Sequence, residues 1–225
     1  MIKEVLNDKG EKINNPEEWK HKAPPMRPIQ WQDGRSAKTN AEYVFSDHKE
    51  LDELLKLYTK YEKCILYAEK KTELDPLGKR GPRNHDSLMV FDDLVVGVEA
   101  KVDESLDNKI KQYDLNKERY SGIIKMIYGD NVDMDIVREM YYQLLSGTYG
   151  TFVEAKNRGK DKALFLIITY ITNRLEEKKL EINKKAIEEF IDSIPSDGDK
   201  KVLACNNNNI DFYIKHITID LTKKG

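Results

Sequence analysis

The sequence has few cysteines, no long apolar run and no excess of charge of either sign. Its two cysteines, Cys64 and Cys205, are too few for a disulfide framework and do not form a CxxC pair, so a reducing compartment is expected. The longest apolar run is about six residues, far short of the roughly 20 that a membrane-spanning helix needs. The first residues contain no apolar segment typical of a signal peptide. We therefore predict a cytoplasmic protein that does not associate with a membrane.

The charge balance limits how the protein could bind nucleic acid. The chain carries 38 Lys and Arg against 40 Asp and Glu, a formal charge of -2, which argues against binding through global positive charge. A local basic groove is still compatible with this balance. Before Asp86, residues 70–83 contain a group of cations: Lys70, Lys71, Lys79, Arg80 and Arg83. Such a segment could neutralise phosphates, and a flexible solvated loop is the alternative.

The pattern of apolar residues predicts one α/β domain over residues 35–225, preceded by an N-terminal arm over residues 1–34. The arm is polar and broken by prolines, so we expect it to be irregular, with Trp19 and Trp31 as its anchors on the domain. Helices are predicted at 36–61 (in two pieces), 107–128, 133–158 and 184–194. Strands are predicted at 64–68, 87–91, 94–102, 163–171 and 210–221, with a loop at 70–83.

The two strands around Asp92-Asp93 form the most informative stretch of the sequence. A symmetric hairpin that closes at this turn places Asp86 opposite Glu99. Because side chains alternate along a strand, Lys101 shares a face with Glu99. The hairpin is therefore expected to gather two carboxylates and an ammonium group at one end, and a β-bulge in either strand would undo this pairing.

Two carboxylates that face each other destabilise a sheet unless a cation compensates them. Mg²⁺ prefers carboxylate oxygens and keeps waters that a substrate phosphate can replace. Lys101 could orient or deprotonate a metal-bound water, or stabilise negative charge that develops on the phosphate. In the alternative interpretation, Glu99 and Lys101 belong to a solvated charged strand face and Asp86 is a turn residue.

Asp86, twelve intervening residues and then Glu99-Ala100-Lys101 between apolar strands resemble the PD-(D/E)XK nuclease superfamily, whose fold is called restriction-endonuclease-like. The wider chain, over roughly residues 30 to 175, is similar to a bacterial domain family within that superfamily. His85 stands where the superfamily often has proline. The matching stretches are Gly34-Arg35-Ser36-Ala37, Val98-Glu99-Ala100-Lys101-Val102-Asp103-Glu104, Tyr142-Gln143-Leu144-Leu145, Gly150, Glu154-Ala155-Lys156 and Gly159.

This resemblance implies a mixed central sheet flanked by helices and a site that holds Mg²⁺ or Mn²⁺. It implies Asp86 and Glu99 as metal ligands, the Ala100 carbonyl as a further ligand and Lys101 as the catalytic lysine. Many families of this fold add an acidic residue from the first core helix, for which Glu42 is the candidate. They also place a polar residue on the following helix, for which Gln112 is the candidate, although a solvent-facing glutamine is equally ordinary there.

The function that follows is a metal-dependent nuclease that hydrolyses DNA phosphodiesters, with Lys79, Arg80, Arg83 and Gln112 as weaker candidates for contacts to nucleic acid. The alternative is a catalytically inactive nuclease-fold module that binds protein or nucleic acid. Cleavage of a duplex needs two cuts, which is compatible with a homodimer.

Overall fold

A seven-stranded mixed sheet forms the centre of the protein in a computed structural model that describes residues 1–25, 28–46, 48–75, 81–102, 104–173, 176–207 and 209–222. The strand order is β2-β1-β3-β4-β5-β6-β9. Strands β3, β4 and β5 are antiparallel neighbours, whereas β5, β6 and β9 run parallel. The strands are β1 (Ile2–Leu6), β2 (Lys12–Ile13), β3 (Cys64–Glu73), β4 (Pro82–Val90), β5 (Leu94–Lys101), β6 (Lys162–Ile171) and β9 (Asp211–Asp220), with a separate hairpin of β7 (Ser196–Asp197) and β8 (Lys200–Lys201).

Helices cover both faces of the sheet and create two apolar cores. One core lies against α4, α6 and α7, and the other against α1, α2 and α3. Strand β5 is buried along its whole length because both of its faces are covered. The predicted α/β class, with a mixed central sheet flanked by helices, is thus confirmed. Among the described residues, no helix is both long and apolar enough to cross a membrane. The helices are α1 (Pro16–Lys22), α2 (Ser36–Val44), α3 (Lys49–Leu55), α4 (Glu118–Tyr128), α5 (Met134–Glu139), α6 (Tyr142–Asn157) and α7 (Glu177–Ser193).

The described N-terminal residues, 1–25 and 28–34, contain more regular secondary structure than the sequence suggested. Strand β1 pairs with β2 and, in parallel, with β3 in the main sheet. Pro16 occupies the first turn of α1, and the Asn15 side chain caps this helix by accepting from the Glu18 N–H. The prediction of an irregular arm is wrong because proline at this position starts a helix instead of breaking one. The prediction of anchors is confirmed, since Trp19 is fully buried and Trp31 packs on the same core.

The β4–β5 hairpin has the predicted register. Ser87 pairs with Val98 and Leu88 with Gly97, so Asp86 and Glu99 come next along the two strands. The described ladder ends at this point, and the Asp86 carboxylate instead accepts a hydrogen bond from the Ala100 N–H at 2.7 Å. The strands also extend into the predicted loop 70–83, because β3 continues to Glu73 and β4 begins at Pro82.

The predicted helices at 107–128 and 133–158 are both shorter than expected. The first begins only at Glu118, after a 3-10 turn at 110–112, because the Asp114 side chain accepts from the Asn116 N–H and forms a local turn. The second is divided before Tyr142, since Ile110 N donates to Met140 O and Tyr142 N donates to Asn108 O. These two bonds hold the chain extended and place the N-terminus of α6 beside β5.

Candidate functional site

A cavity of about 340 Å³ lies between the N-terminal residues, the β3–β5 sheet and the N-terminal end of α6. This volume is at the small end of the range for ligand pockets. The described lining combines apolar surface with side chains that carry both signs of charge. It includes the carboxylates of Glu69, Asp86 and Glu99 and the cationic groups of Lys71, Arg83 and Arg119.

Glu99 is the most completely bonded of these carboxylates, and it is 1% exposed. One oxygen, Oε2, accepts from the guanidinium of Arg83. The other, Oε1, accepts from Gln143 Nε2 at 2.5 Å and lies 3.1 Å from Lys101 Nζ. Two cations and one amide therefore stabilise a buried negative charge that would otherwise be very costly.

Asp86 is less compensated than Glu99. Burial, followed by the negative charge of Glu99, raises the pKa of Asp86 from 3.8 to about 7, although Lys101 and the bond from Ala100 N oppose the rise. Asp86 therefore carries a negative charge at neutral pH only at a cost in stability. A carboxylate in a cleft whose pKa lies this far above its ordinary value is a marker of a functional site.

Glu69 is a third acid at the cavity that the sequence analysis missed. It lies within β3, is buried, and has a positive φ of 47°, which is rare for a residue with a side chain. Its carboxylate accepts from Asn84 Nδ2 at 2.6 Å. Burial, followed by the charge of Asp86, raises the pKa of Glu69 well above its ordinary value. The available signal was an acidic residue directly after the apolar run 64–68.

Lys101 is 5% exposed and directs its ammonium group at Glu99. Burial alone would lower the pKa of Lys101, but the carboxylates of Glu99, Asp86 and Glu104 outweigh burial and raise it. The ammonium group therefore keeps its proton at neutral pH. Lys101 is not among the described residues that line the cavity, so it acts on the cavity through Glu99.

Gln143 contacts Glu99 because the N-terminus of α6 is fixed in place. The Asp107 side chain accepts from the Gln143 N–H at 3.0 Å and caps the helix. Burial raises the pKa of Asp107 to about 6. Gln143 lies in Tyr142-Gln143-Leu144-Leu145, one of the stretches that carried the resemblance, yet no sequence pattern assigned it a role.

Two glycines allow α6 to approach the β4–β5 hairpin closely. A Cβ atom on Gly150 would come within 3.0 Å of Arg83 Cγ and of His85 Nε2, and one on Gly97 would overlap Thr151 Oγ1. His85 is fully buried, and neither ring nitrogen has a hydrogen-bond partner among the described residues. Burial and then the charge of Arg83 lower the pKa of His85 well below 6.5. The imidazole is therefore neutral and packs as an apolar ring beneath Arg83.

A family model described as a domain of unknown function, DUF6946, matches residues 12–221. The chain belongs to the DUF6946 family. The match extends from β2 to β9 and includes all the cavity residues named above. No curated protein and no solved structure matches this DUF6946 chain.

The other predicted site residues of the DUF6946 chain lie away from this cavity or outside the described residues. Gln112 belongs to the 3-10 turn, where its side-chain oxygen accepts from the Lys109 N–H at 2.8 Å. Glu42 is exposed on α2 and lies 3.6 Å from the Lys38 ammonium. Neither lines the described part of the cavity. Lys79 and Arg80 fall outside the described residues.

The cavity has the donor chemistry for a hard divalent cation, but its donors are already occupied. Asp86 and Glu99 line the cavity and offer the carboxylate oxygens that Mg²⁺ and Mn²⁺ prefer. Ala100, the third predicted ligand, is fully buried and is not among the described residues that line the cavity. Within the described ranges, no group of three or more His, Cys, Asp and Glu side chains is arranged as a metal centre. Arg83 and Lys101 neutralise Glu99 instead. The residue types therefore fit a divalent cation, and a cation would have to replace the guanidinium.

Proposed function

We propose that this DUF6946 domain is a metal-dependent nuclease of the PD-(D/E)XK superfamily with a restriction-endonuclease-like fold, and that it hydrolyses DNA phosphodiesters. The observation that carries the proposal is the placement of Asp86 and Glu99. They come directly after the last described pair of the β4–β5 ladder, Ser87 and Val98. Both line one cavity, and Glu99 contacts Lys101. The raised pKa of Asp86 adds support, because a carboxylate that repels its neighbour favours a bound cation.

The predicted metal ligands, Lys101 and Gln143 have separate roles in this proposal. Asp86, Glu99 and the Ala100 carbonyl would hold Mg²⁺ or Mn²⁺, which supplies an activated water and polarises the phosphate. Lys101 keeps its proton and would stabilise the negative charge that develops during attack from behind Glu99, which it contacts at 3.1 Å. Gln143 fixes the orientation of the Glu99 carboxylate through its 2.5 Å hydrogen bond.

The proposal is tested by incubating the pure protein with single- and double-stranded DNA and with Mg²⁺ or Mn²⁺. We expect cleavage that a chelator abolishes and that Lys101→Ala reduces by about 100-fold or more. Lys160→Ala is the matched control, because Lys160 is bonded to the Asp92 carbonyl at the opposite end of the hairpin. Absence of cleavage, or equal cleavage by Lys101→Ala and the wild type, contradicts the proposal.

The second candidate is an inactive nuclease-fold module that binds protein or nucleic acid. The neutralisation of Glu99 by Arg83 and Lys101 favours it, since the carboxylate is satisfied without a metal. Titration calorimetry with Mn²⁺ separates the two candidates. Binding that is lost in Asp86→Ala supports the enzyme, and no binding to the wild type supports the module. The homodimer remains a prediction, which light scattering in the presence and absence of duplex DNA would test.

A further inference from the structure

Arg83 occupies the position at Glu99 that a metal ion would need. Its guanidinium donates to Glu99 Oε2 and approaches Ser146 Oγ at 3.5 Å, while its Nε has no hydrogen-bond partner among the described residues. The side chain is 11% exposed and lines the cavity. The guanidinium thus has one strong interaction, and that interaction is with a predicted metal ligand.

The backbone of Arg83 is fixed, so only its side chain can move. Arg83 pairs with Thr72 in the β3–β4 ladder. Gly150 and the neutral ring of His85 lie against the base of the side chain, where a Cβ on Gly150 would be only 3.2 Å from Arg83 Cβ. The base is held, whereas the guanidinium reaches into the cavity.

A divalent cation and the guanidinium of Arg83 compete for Glu99 Oε2. They need the same lone pairs, and their positive charges repel each other across a few ångströms in a buried setting. We propose that Arg83 is the resident counter-ion of Glu99, that a divalent cation displaces it, and that the released guanidinium then binds a phosphate of the substrate. This inference rests on the proposed function, because it requires a metal at Asp86 and Glu99.

The released guanidinium would remain beside the bound metal. The cavity wall that carries Arg83 also carries Lys71 and Arg119, so an anion that enters meets positive charge on that side. A guanidinium can bind two phosphate oxygens at once, which a lysine cannot do. In this arrangement the phosphate site forms only when the metal is bound, so metal and substrate assist each other's binding.

The test measures Mn²⁺ affinity directly, from the electron paramagnetic resonance signal of free Mn²⁺ at pH 8 and constant ionic strength. Arg83→Met removes the guanidinium and keeps a long side chain, and we expect it to bind Mn²⁺ at least tenfold more tightly than the wild type. Arg83→Lys keeps the charge, and its affinity should stay within about threefold of the wild type. Arg158→Met is the matched control, since Arg158 bonds to Glu154, lies over the Tyr67 ring and is not among the described residues that line the cavity. It should change the affinity by less than threefold.

A second measurement tests the phosphate contact. With Ca²⁺ present, a fluorescent single-stranded oligonucleotide should bind the wild type about tenfold more tightly than in chelator, and Arg83→Met should lose this gain. If Arg83 only holds the fold together, Arg83→Met binds Mn²⁺ no better than the wild type, which overturns the inference and leaves the proposed function standing. If neither protein binds Mn²⁺, both the proposed function and the inference fail. If Ca²⁺ tightens oligonucleotide binding equally in the wild type and in Arg83→Met, the assignment of Arg83 to the phosphate is overturned.

Discussion

Replacing Asp86 by Asn removes an ionisable group from the cavity and keeps its shape. The Asn oxygen can still accept from the Ala100 N–H, as Asp86 does at 2.7 Å. What disappears is a negative charge that burial and Glu99 disfavour. We therefore expect Asp86→Asn to make the metal-free protein more stable above pH 7.

The magnitude follows from the pKa of Asp86. Each pKa unit corresponds to about 1.4 kcal/mol, so the rise from 3.8 to about 7 sets an upper limit of about 4 kcal/mol on the cost of ionising Asp86. The side chain is half-buried, so water screens part of the charge, and we expect a stabilisation of about 2 kcal/mol.

The raised pKa of Asp86 also defines how its contribution to folding stability depends on pH. The unfolded chain releases the Asp86 proton near pH 3.8, whereas the folded protein releases it near 7. Between these values the folded state binds more protons, so this group's contribution to stability falls as the pH rises. The advantage of Asp86→Asn should grow from about pH 4 to about pH 7 and then stay constant.

Urea unfolding at pH 5 and pH 8 in a chelating buffer would measure this effect through tryptophan fluorescence, because Trp19 is fully buried. Asp92→Asn, at an exposed position in the turn of the same hairpin, is the control and should change the free energy of unfolding by less than about 0.5 kcal/mol. The reasoning is refuted if Asp86→Asn is no more stable than the wild type at pH 8, or if its advantage is the same at both pH values.

Three further predictions concern the support of the site. Gly150→Ala should destabilise the protein by about 1–3 kcal/mol in thermal melts, because the new methyl group would press on Arg83 and His85; an unchanged melt would contradict this packing. Gln143→Ala should reduce cleavage about tenfold, with little change in melting temperature, because the Glu99 carboxylate loses its orienting bond; full activity would argue against that role. The unfolded chain protonates His85 below about pH 6.5, whereas the folded protein does so only well below that pH. The contribution of His85 to stability should therefore form an acid limb that falls as the pH drops, opposite in sign to the contribution of Asp86. His85→Phe should flatten this acid limb in urea titrations at pH 5 to 7, and an equally steep limb would assign it to other groups.

The hairpin could be predicted from the sequence because its information is local. Two apolar strands flank Asp92-Asp93, and the turn alone fixes which residues pair. Asp86 and Glu99 therefore reached the same cavity as expected. Glu69 could not be predicted in this way, since its position depends on a left-handed backbone in a third strand.

The contacts of Gln143 and Arg83 with Glu99 have long-range causes that the sequence pattern does not reveal. Gln112 and Gln143 both follow the hairpin, and only the backbone bonds that join residues 108–110 to 140–142 bring Gln143 to Glu99. No local pattern encodes those bonds. Arg83 was predicted to contact nucleic acid, and this stays a prediction, but its contact with Glu99 depends on how closely α6 packs at Gly150.

The position of β1 has a consequence for how the chain can be made. Ile2–Leu6 leaves the ribosome before its parallel partner in β3, which begins only at Cys64. About 60 residues must be synthesised before this pair can close, and the entropy of closing so large a loop has to be recovered from sheet contacts formed afterwards. The apolar face of β1 therefore stays uncovered during early synthesis. Strand β1 is therefore expected to wait for β3 before it joins the sheet, and to be a point where a nascent chain depends on chaperones.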